Sequence, residues 1–219
     1  MKLYGVVGAG GFGREVMPFV QETLAASHEE EEFEAVFVVE FGDTGVVNSH
    51  RVLSTDQFLA DSGEKHFTVA ISDSQVRERI SRKFIRRAAT PFSASALNSV
   101  CMSGNTVGEG AILCAFTTIT SNAQIGRFFH ANIYSYVAHD CRIGDFVTFA
   151  PNVHCNGRIV IEDHAYLGTG AILREGAADQ PIVIGRGAVV GMGAVVTRSV
   201  APGTTVIGNP ARVMEKRPG

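Results

Sequence analysis

From Val107 to Leu173 every sixth residue is apolar: Val107, Leu113, Ile119, Ile125, Ala131, Val137, Ile143, Phe149, Cys155, Ile161, Leu167 and Leu173. Two places ahead of these positions the side chains are mostly small, at Ala111, Thr117, Ala123, Ser135, Cys141, Ala165 and Ala171. A hexapeptide repeat of this kind buries its apolar residues by stacking successive coils into one column, so the expected architecture is a parallel β-helix. Glycine follows the apolar residue at Gly108, Gly126 and Gly144, a recurrence of eighteen. That implies three hexads per coil, three short strands and a triangular cross-section. The phase breaks after Leu173 and resumes at Ile184, Val190 and Val196, so "REGAADQPIV" carries five extra residues. An insertion that leaves the period intact on both sides is expected to protrude as a loop from one corner.

The first ninety residues lack the period. "KLYGVV" reads as a strand, followed by a glycine turn and a helix in "GAGGFGREV", the usual opening of an α/β unit. Gly8, Gly10 and Gly13 fit GxGxxG, and a second strand, "FEAVFVVE", ends at Glu40, at the spacing from which an acidic side chain reaches a ribose. A third strand, "HFTVAIS", leads into "DSQVRERISRKFIRRA". Asp73 or Ser74 is expected to cap that helix, with Val76, Ile80, Phe84 and Ile85 on its inner face. The chain therefore divides into a Rossmann-like domain over 1–90 and a β-helix over 91–219. Ninety residues are too few for the full six-stranded dinucleotide fold. The glycine loop is read instead as a phosphate cradle of backbone N–H groups at a helix N-terminus, with Gly11 beside it and Ser72 and Asp73 as further nucleotide-side candidates; a tight turn without a ligand is the plainer alternative. The acidic run "HEEEEFE" (28–34) and the charged stretch Arg77 to Arg87 read as a solvated loop and a mostly solvated helix face.

Composition sets limits. The net charge of −3 gives no footprint for nucleic acid. No apolar run approaches the roughly 20 residues of a membrane span, and "MKLYGVVGAGG" lacks a signal peptide's basic start, so a cytoplasmic protein is expected. Cys101, Cys114, Cys141 and Cys155 have no CxxC spacing and read as small buried hydrophobes. His130, His154 and His164 lack the spacing of a three-histidine metal site and read as interface or surface residues; no metal is expected.

"GAGGFGRE", "AISDSQVRERI", "AHDCRIGDF" and the terminal "VIGNPARVM" together resemble the bacterial acyltransferases that modify nucleotide-linked amino sugars, a hexapeptide-repeat group close to the sialic acid O-acetyltransferases. The resemblance covers essentially the whole chain. It implies a homotrimer of left-handed β-helices, with acetyl-CoA in the groove between neighbours and the sugar nucleotide against the N-terminal domain. It also implies His139 as general base followed by a carboxylate, Asp140, with "GNPAR" beside the coenzyme. Asn132 matches a family position near the acetyl group, Gly157 a glycine implicated in oxyanion binding, and Thr169 and Gly191 join them on the coenzyme side. Two histidines of some relatives are replaced here, near Thr148 and at Phe12.

The residues support the same chemistry by themselves. Acyl transfer from a thioester needs a base for the nucleophile and a donor for the carbonyl oxygen as it becomes an oxyanion, and histidine suits the first task. Adding eighteen to 139 reaches Gly157, one coil onward, whose N–H is the candidate oxyanion donor. Asp140 follows His139 on a segment read as extended, where neighbours point to opposite sides, so contact between the two is not implied. Phe128, Phe129, Tyr134, Tyr136, Phe146 and Phe149 cluster in these coils, and outward aromatics among them favour a subunit interface. The resulting reading is direct transfer of acetyl from acetyl-CoA to the amine of a UDP- or dTDP-linked 4-amino-4,6-dideoxy sugar. Open beside it stand O-acetylation of a sialic acid or other sugar, use of a longer acyl-CoA, and a non-catalytic sugar-nucleotide-binding scaffold.

Overall fold

The computed structural model describes residues 1–27 and 32–215. They form two compact units, one of 1–97 with 109–112 and one of 98–108 with 113 onward. Most of the acidic run 28–34 lies outside the described residues.

The first unit is a six-stranded sheet in the order β3-β4-β2-β1-β5-β6, built from β1 (Lys2–Val7), β2 (Phe33–Val39), β3 (Gly45–Val47), β4 (His50–Ser54), β5 (Glu64–Val69) and β6 (Thr90–Pro91), with helices α1 (Gly11–Ser27), α2 (Thr55–Ala60) and α3 (Ser74–Arg86). Strands β1, β2, β4, β5 and β6 are parallel and β3 is antiparallel to β4. Buried on both faces, the central strand reads as the continuous apolar run "KLYGVV". β3, β4 and α2 were not expected from the sequence. Ser54 and Gln57 form a reciprocal capping box at α2, so Ser-x-x-Gln was the legible signal there. Asp73 caps α3, accepting from the N–H groups of Gln75 and Val76 at 2.9 and 3.0 Å. The buried face of α3 is Arg77, Ile80, Ser81 and Phe84. Ile85 is exposed because it lies one position round the helix from Phe84. Arg77 departs from the solvated reading: it is fully buried, donating from Nη1 to the carbonyls of Ile71 at 2.7 Å and Ser72 at 3.1 Å.

The second unit is a parallel β-helix. Strands of successive coils pair in register, eighteen residues apart except across the insertion, where Ile161 meets Ile184: Thr118–Ile119, Tyr136–Val137, His154–Cys155 and Ile172–Leu173 in one sheet; Gln124–Ile125, Arg142–Ile143, Ile159–Ile161 and Ile182–Ile184 in the second; His130–Ala131, Thr148–Phe149 and Tyr166–Leu167 in the third. Every ladder position from Leu113 to Leu173 is buried, as are Ile184, Val190 and Val196 beyond the insertion and the small residues two places ahead. Cys101 shares the phase but is exposed, because Val100–Cys101 is the end strand of its sheet and no coil covers it.

The corners turn through left-handed backbone at residues that are mostly not glycine. Phe116, Tyr134 and Asn152, then Phe128, Phe146 and His164, then Asn122, Asp140 and Arg158 form three columns with φ between 53° and 63°. Such φ values cost a non-glycine residue about 1 kcal/mol or more. The ladder compensates, since the corner N–H groups of Tyr134, Asp140, Phe146, Asn152, Arg158 and His164 donate to carbonyls of the preceding coil, as from Asp140 to Ser121 and from Arg158 to His139, both at 3.0 Å. Equal conformations eighteen residues apart also stack their side chains: Phe116 on Tyr134 at 4.9 Å, Phe128 on Phe146 at 5.3 Å and Phe146 on His164 at 5.4 Å between ring centres. Stacking and core packing bury Phe128, Phe129, Phe146 and Phe149 within one chain, so among the six aromatics around His139 only Tyr134 is exposed and Tyr136 half-buried. His130 is likewise buried and is not a surface histidine.

Candidate functional site

His139 and Asp140 sit where the strand Tyr136–Val137 ends and the chain turns a corner. Asp140 is at the left-handed position, φ 59°, which aspartate tolerates better than most residues. The turn, in place of extended backbone, swings its carboxylate back onto its neighbour, with Oδ2 2.9 Å from Nδ1 of His139. The sequence expectation of opposite directions fails here because the segment is not extended. Asn122, one coil earlier in the same column, donates to Oδ1 of Asp140 at 3.3 Å. The hydrogen bonds from His139 and Asn122 hold the Asp140 carboxyl below its ordinary pKa. An ionised partner on Nδ1 fixes the tautomer, leaving Nε2 as the proton acceptor.

Gly157 lies one coil onward, where the eighteen-residue count put it. A Cβ there would stand 2.5 Å from Cε1 and 2.6 Å from Nε2 of His139, so the imidazole rests against the bare α-carbon. Among the described residues the Gly157 N–H has no acceptor. One coil further, eighteen beyond 157, the column reaches Glu175, the residue the sequence reading missed. The insertion brings its Oε1 to 3.7 Å from His139 Nε2, and Arg158 Nη1 donates to the same oxygen. Asp140, Arg142, Arg158, Val160, Ala177, Ala178 and Pro181 line an adjoining cavity of about 340 Å³.

Behind the turn, Cys141 and Cys155 are buried with their sulfurs 3.9 Å apart. The hydrogen bond with Cys141 and burial push the Cys155 thiol up, which leaves it unsuited to attack a thioester. Asn132 turns its amide back to the Phe149 carbonyl at 2.9 Å. Thr169 is exposed, its carbonyl accepting from Gly193 at 2.8 Å. A Cβ at Gly191 would meet Ile207 at 2.7 Å, so this glycine seats the strand Thr205–Ile207. None of these three shares a hydrogen bond with His139, Asp140 or Gly157 among the described residues.

In the first unit the connections following β1, β2 and β5 enclose a cavity of about 610 Å³ lined by Gly8, Ala9, Gly10, Glu40, Ile71 and Arg79, among others. Chain order places β2 on one side of β1 and β5 on the other, so the cavity occupies the topological switch point where open α/β sheets take ligands. The glycines divide by role. Gly8 has φ 112°, and a Cβ on Gly13 would fall 1.8 Å from the Gly8 carbonyl oxygen, whereas one on Gly10 or Gly11 would meet nothing within 4 Å. The first pair makes the turn; the second leaves open backbone facing outward. Glu40 is clamped by Arg79 through bonds of 2.9 and 2.6 Å, with Lys83 at 3.8 Å. The Arg79 hydrogen bonds hold its carboxyl below the ordinary value against the opposing effect of burial. Ser72 and Asp73 serve the α3 cap and the Arg77 contact.

No group of three potential metal-ligating side chains occurs among the described residues, and no helix among them is long and apolar enough to cross a membrane. Residues 5–84 match the PglD N-terminal domain family. GDP-perosamine N-acetyltransferase of Escherichia coli O157:H7 is 48% identical over 219 residues, all of this chain and 99% of the relative. WeeI from Acinetobacter baumannii AYE superposes with a TM-score of 0.92 at 47% identity, covering 98% of this chain and 100% of the other. A histidine-to-asparagine mutant of perosamine N-acetyltransferase from Caulobacter crescentus, solved with CoA and GDP-perosamine, gives 0.84 at 26% identity with 97% of each chain covered. The full-length likeness and the two-unit architecture together show that the chain belongs to the hexapeptide-repeat family of acetyl-CoA-dependent nucleotide-sugar N-acetyltransferases.

Proposed function

We propose that the protein acetylates the 4-amino group of a GDP-linked 4-amino-4,6-dideoxyhexose of the perosamine type. The observation that carries the mechanism is the Asp140–His139–Gly157 column, an oriented imidazole resting on a glycine. Nε2 of His139 takes a proton from the sugar amine as the nitrogen attacks the thioester carbonyl. The Gly157 N–H stabilises the oxyanion, and the thiolate leaves with the proton that His139 returns. No cysteine or serine is needed as an acyl carrier. Asn132, Thr169 and Gly191 fall on the coenzyme side. Gly10 and Gly11 face the pyrophosphate, and Glu40, held by Arg79, faces the nucleoside. The relative named for a GDP-sugar, 48% identical along the whole chain, favours guanosine over the UDP or dTDP expected from sequence. The exposed Phe116 and Tyr134 stack, with Ile133 beside it, supports a trimer interface. The product serves a surface glycan made from cytoplasmic precursors.

A thiol-release assay with acetyl-CoA and GDP-, UDP- and dTDP-linked 4-amino sugars tests the reading, with mass analysis of the product. Turnover of the GDP sugar with a gain of one acetyl on nitrogen is expected. Preference for a UDP or dTDP sugar overturns the base assignment, and O-acetylation or transfer of a longer acyl group only overturns the reaction.

A further inference from the structure

The five-residue insertion does more than bulge from a corner. Gly176, which follows Glu175, donates its N–H to the Gly157 carbonyl at 3.0 Å, and a Cβ on it would lie 2.3 Å from the Arg158 carbonyl oxygen. The start of the insertion is thus seated against the coil that carries Gly157, and Arg158 holds the Glu175 carboxylate from the same coil. His139 therefore has two carboxylates: Asp140 at Nδ1, 2.9 Å away, and Glu175 at Nε2, 3.7 Å away. Asp140 suffices to orient the ring. The second carboxylate stands on the nitrogen that must face the nucleophile.

We infer that Glu175 binds the substrate amine and makes the site select nitrogen over oxygen nucleophiles; this rests on the N-acetylation reading above. An alkylamine has a pKa near that of lysine, about 10, so the sugar arrives as an ammonium with three N–H bonds. A nitrogen about 2.9 Å from both Nε2 and Oε1 can give one proton to His139 while a second N–H stays bonded to Glu175. The lone pair freed by deprotonation then faces the thioester carbonyl. The C–N bond forms and the C–S bond breaks; the thiolate takes the proton carried by His139, and the second N–H proton leaves through the Glu175 carboxylate to water, so ammonium and thioester give amide, thiol and one released proton. A hydroxyl has only one proton. Once that passes to His139, a developing alkoxide is left facing the Glu175 carboxylate with nothing to donate, and the repulsion opposes attack. Arg158, donating to Oε1, holds the Glu175 carboxylate in place beside His139.

The test compares wild type, Glu175→Gln and Glu175→Asp with the amino sugar, acetyl-CoA and the 4-hydroxy analogue of the nucleotide sugar as inhibitor. Loss of one charge-assisted hydrogen bond predicts a fall of about 10- to 100-fold in kcat/KM for the amino sugar in Glu175→Gln. Partial recovery is expected in Glu175→Asp. The KM for acetyl-CoA and the inhibition constant of the hydroxy analogue stay at wild-type values. Equal weakening of amino sugar and hydroxy analogue, or an unchanged kcat/KM, overturns the assignment while the acetyltransferase reading stands. A wild type that turns over no amino sugar overturns that reading and this assignment together.

Discussion

The imidazole of His139 lies against the α-carbon of Gly157, so close that a methyl group at 157 would sit 2.5 Å from Cε1 and 2.6 Å from Nε2. Contacts that short do not occur, and the ring is the movable partner. Gly157→Ala keeps the backbone N–H but displaces the base. A fall in kcat of about 10²-fold or more is expected, comparable with loss of a general base in His139→Ala. Thermal unfolding should change little, because the ring has solvent to move into. Wild-type activity in Gly157→Ala with intact folding would remove this contact from the mechanism.

Asp140 supplies a pH prediction. Its folded-state pKa is depressed by hydrogen bonds from His139 and Asn122. A carboxylate of that kind contributes above its unfolded value and loses the contribution only as pH falls through the lower folded value. Asp140 is therefore ionised throughout the range from pH 5 to 8, and any change in rate there belongs to another group. A carbon-detected NMR titration of the Asp140 carboxyl should give a midpoint below the ordinary 3.8.

The glycine loop after β1 separates glycines that hold the turn from those proposed to face the nucleotide. Gly13→Ala would place a Cβ 1.8 Å from the Gly8 carbonyl oxygen, whereas Gly10→Ala meets nothing. Gly13→Ala should destabilise the first unit by about 2 kcal/mol or more through forced backbone movement. Gly10→Ala should leave stability unchanged and raise KM for the nucleotide sugar without altering KM for acetyl-CoA. Chemical denaturation and steady-state kinetics on both variants read the two effects separately.

Arg77 is fully buried, and burial pushes its guanidinium down to about 9 against the opposing charge of Asp73. Its bonds to the Ile71 and Ser72 carbonyls tie the connection after β5 to α3 beside the cavity of the first unit. Arg77→Ala leaves a void and two carbonyls short of a donor, so a loss of about 3 kcal/mol is expected, read from denaturant midpoints. Arg82→Ala on the exposed face of the same helix is the control, with a change of about 0.5 kcal/mol or less.

A period of six that persists from Leu113 to Leu173 and resumes at Ile184 determined the β-helix, its burial pattern and even the placement of Gly157 over His139, because register in a stacked coil is arithmetic. Glu175 stands eighteen beyond Gly157 in the same column, but the apolar phase breaks at the insertion that begins there, so the pattern hides it. In the first unit, GxGxxG and Asp73 were legible as turn and cap, for these are local backbone signals. The tertiary structure decided what the corners do. The left-handed backbone at Asp140 turns its carboxylate onto His139, stacking draws Phe128 and Phe146 inward, and Arg77 finds carbonyls where its helix face read as solvated. Each of these depends on groups contributed by other coils or strands, and a one-dimensional pattern records which residue is apolar but not which way a turn points its side chain.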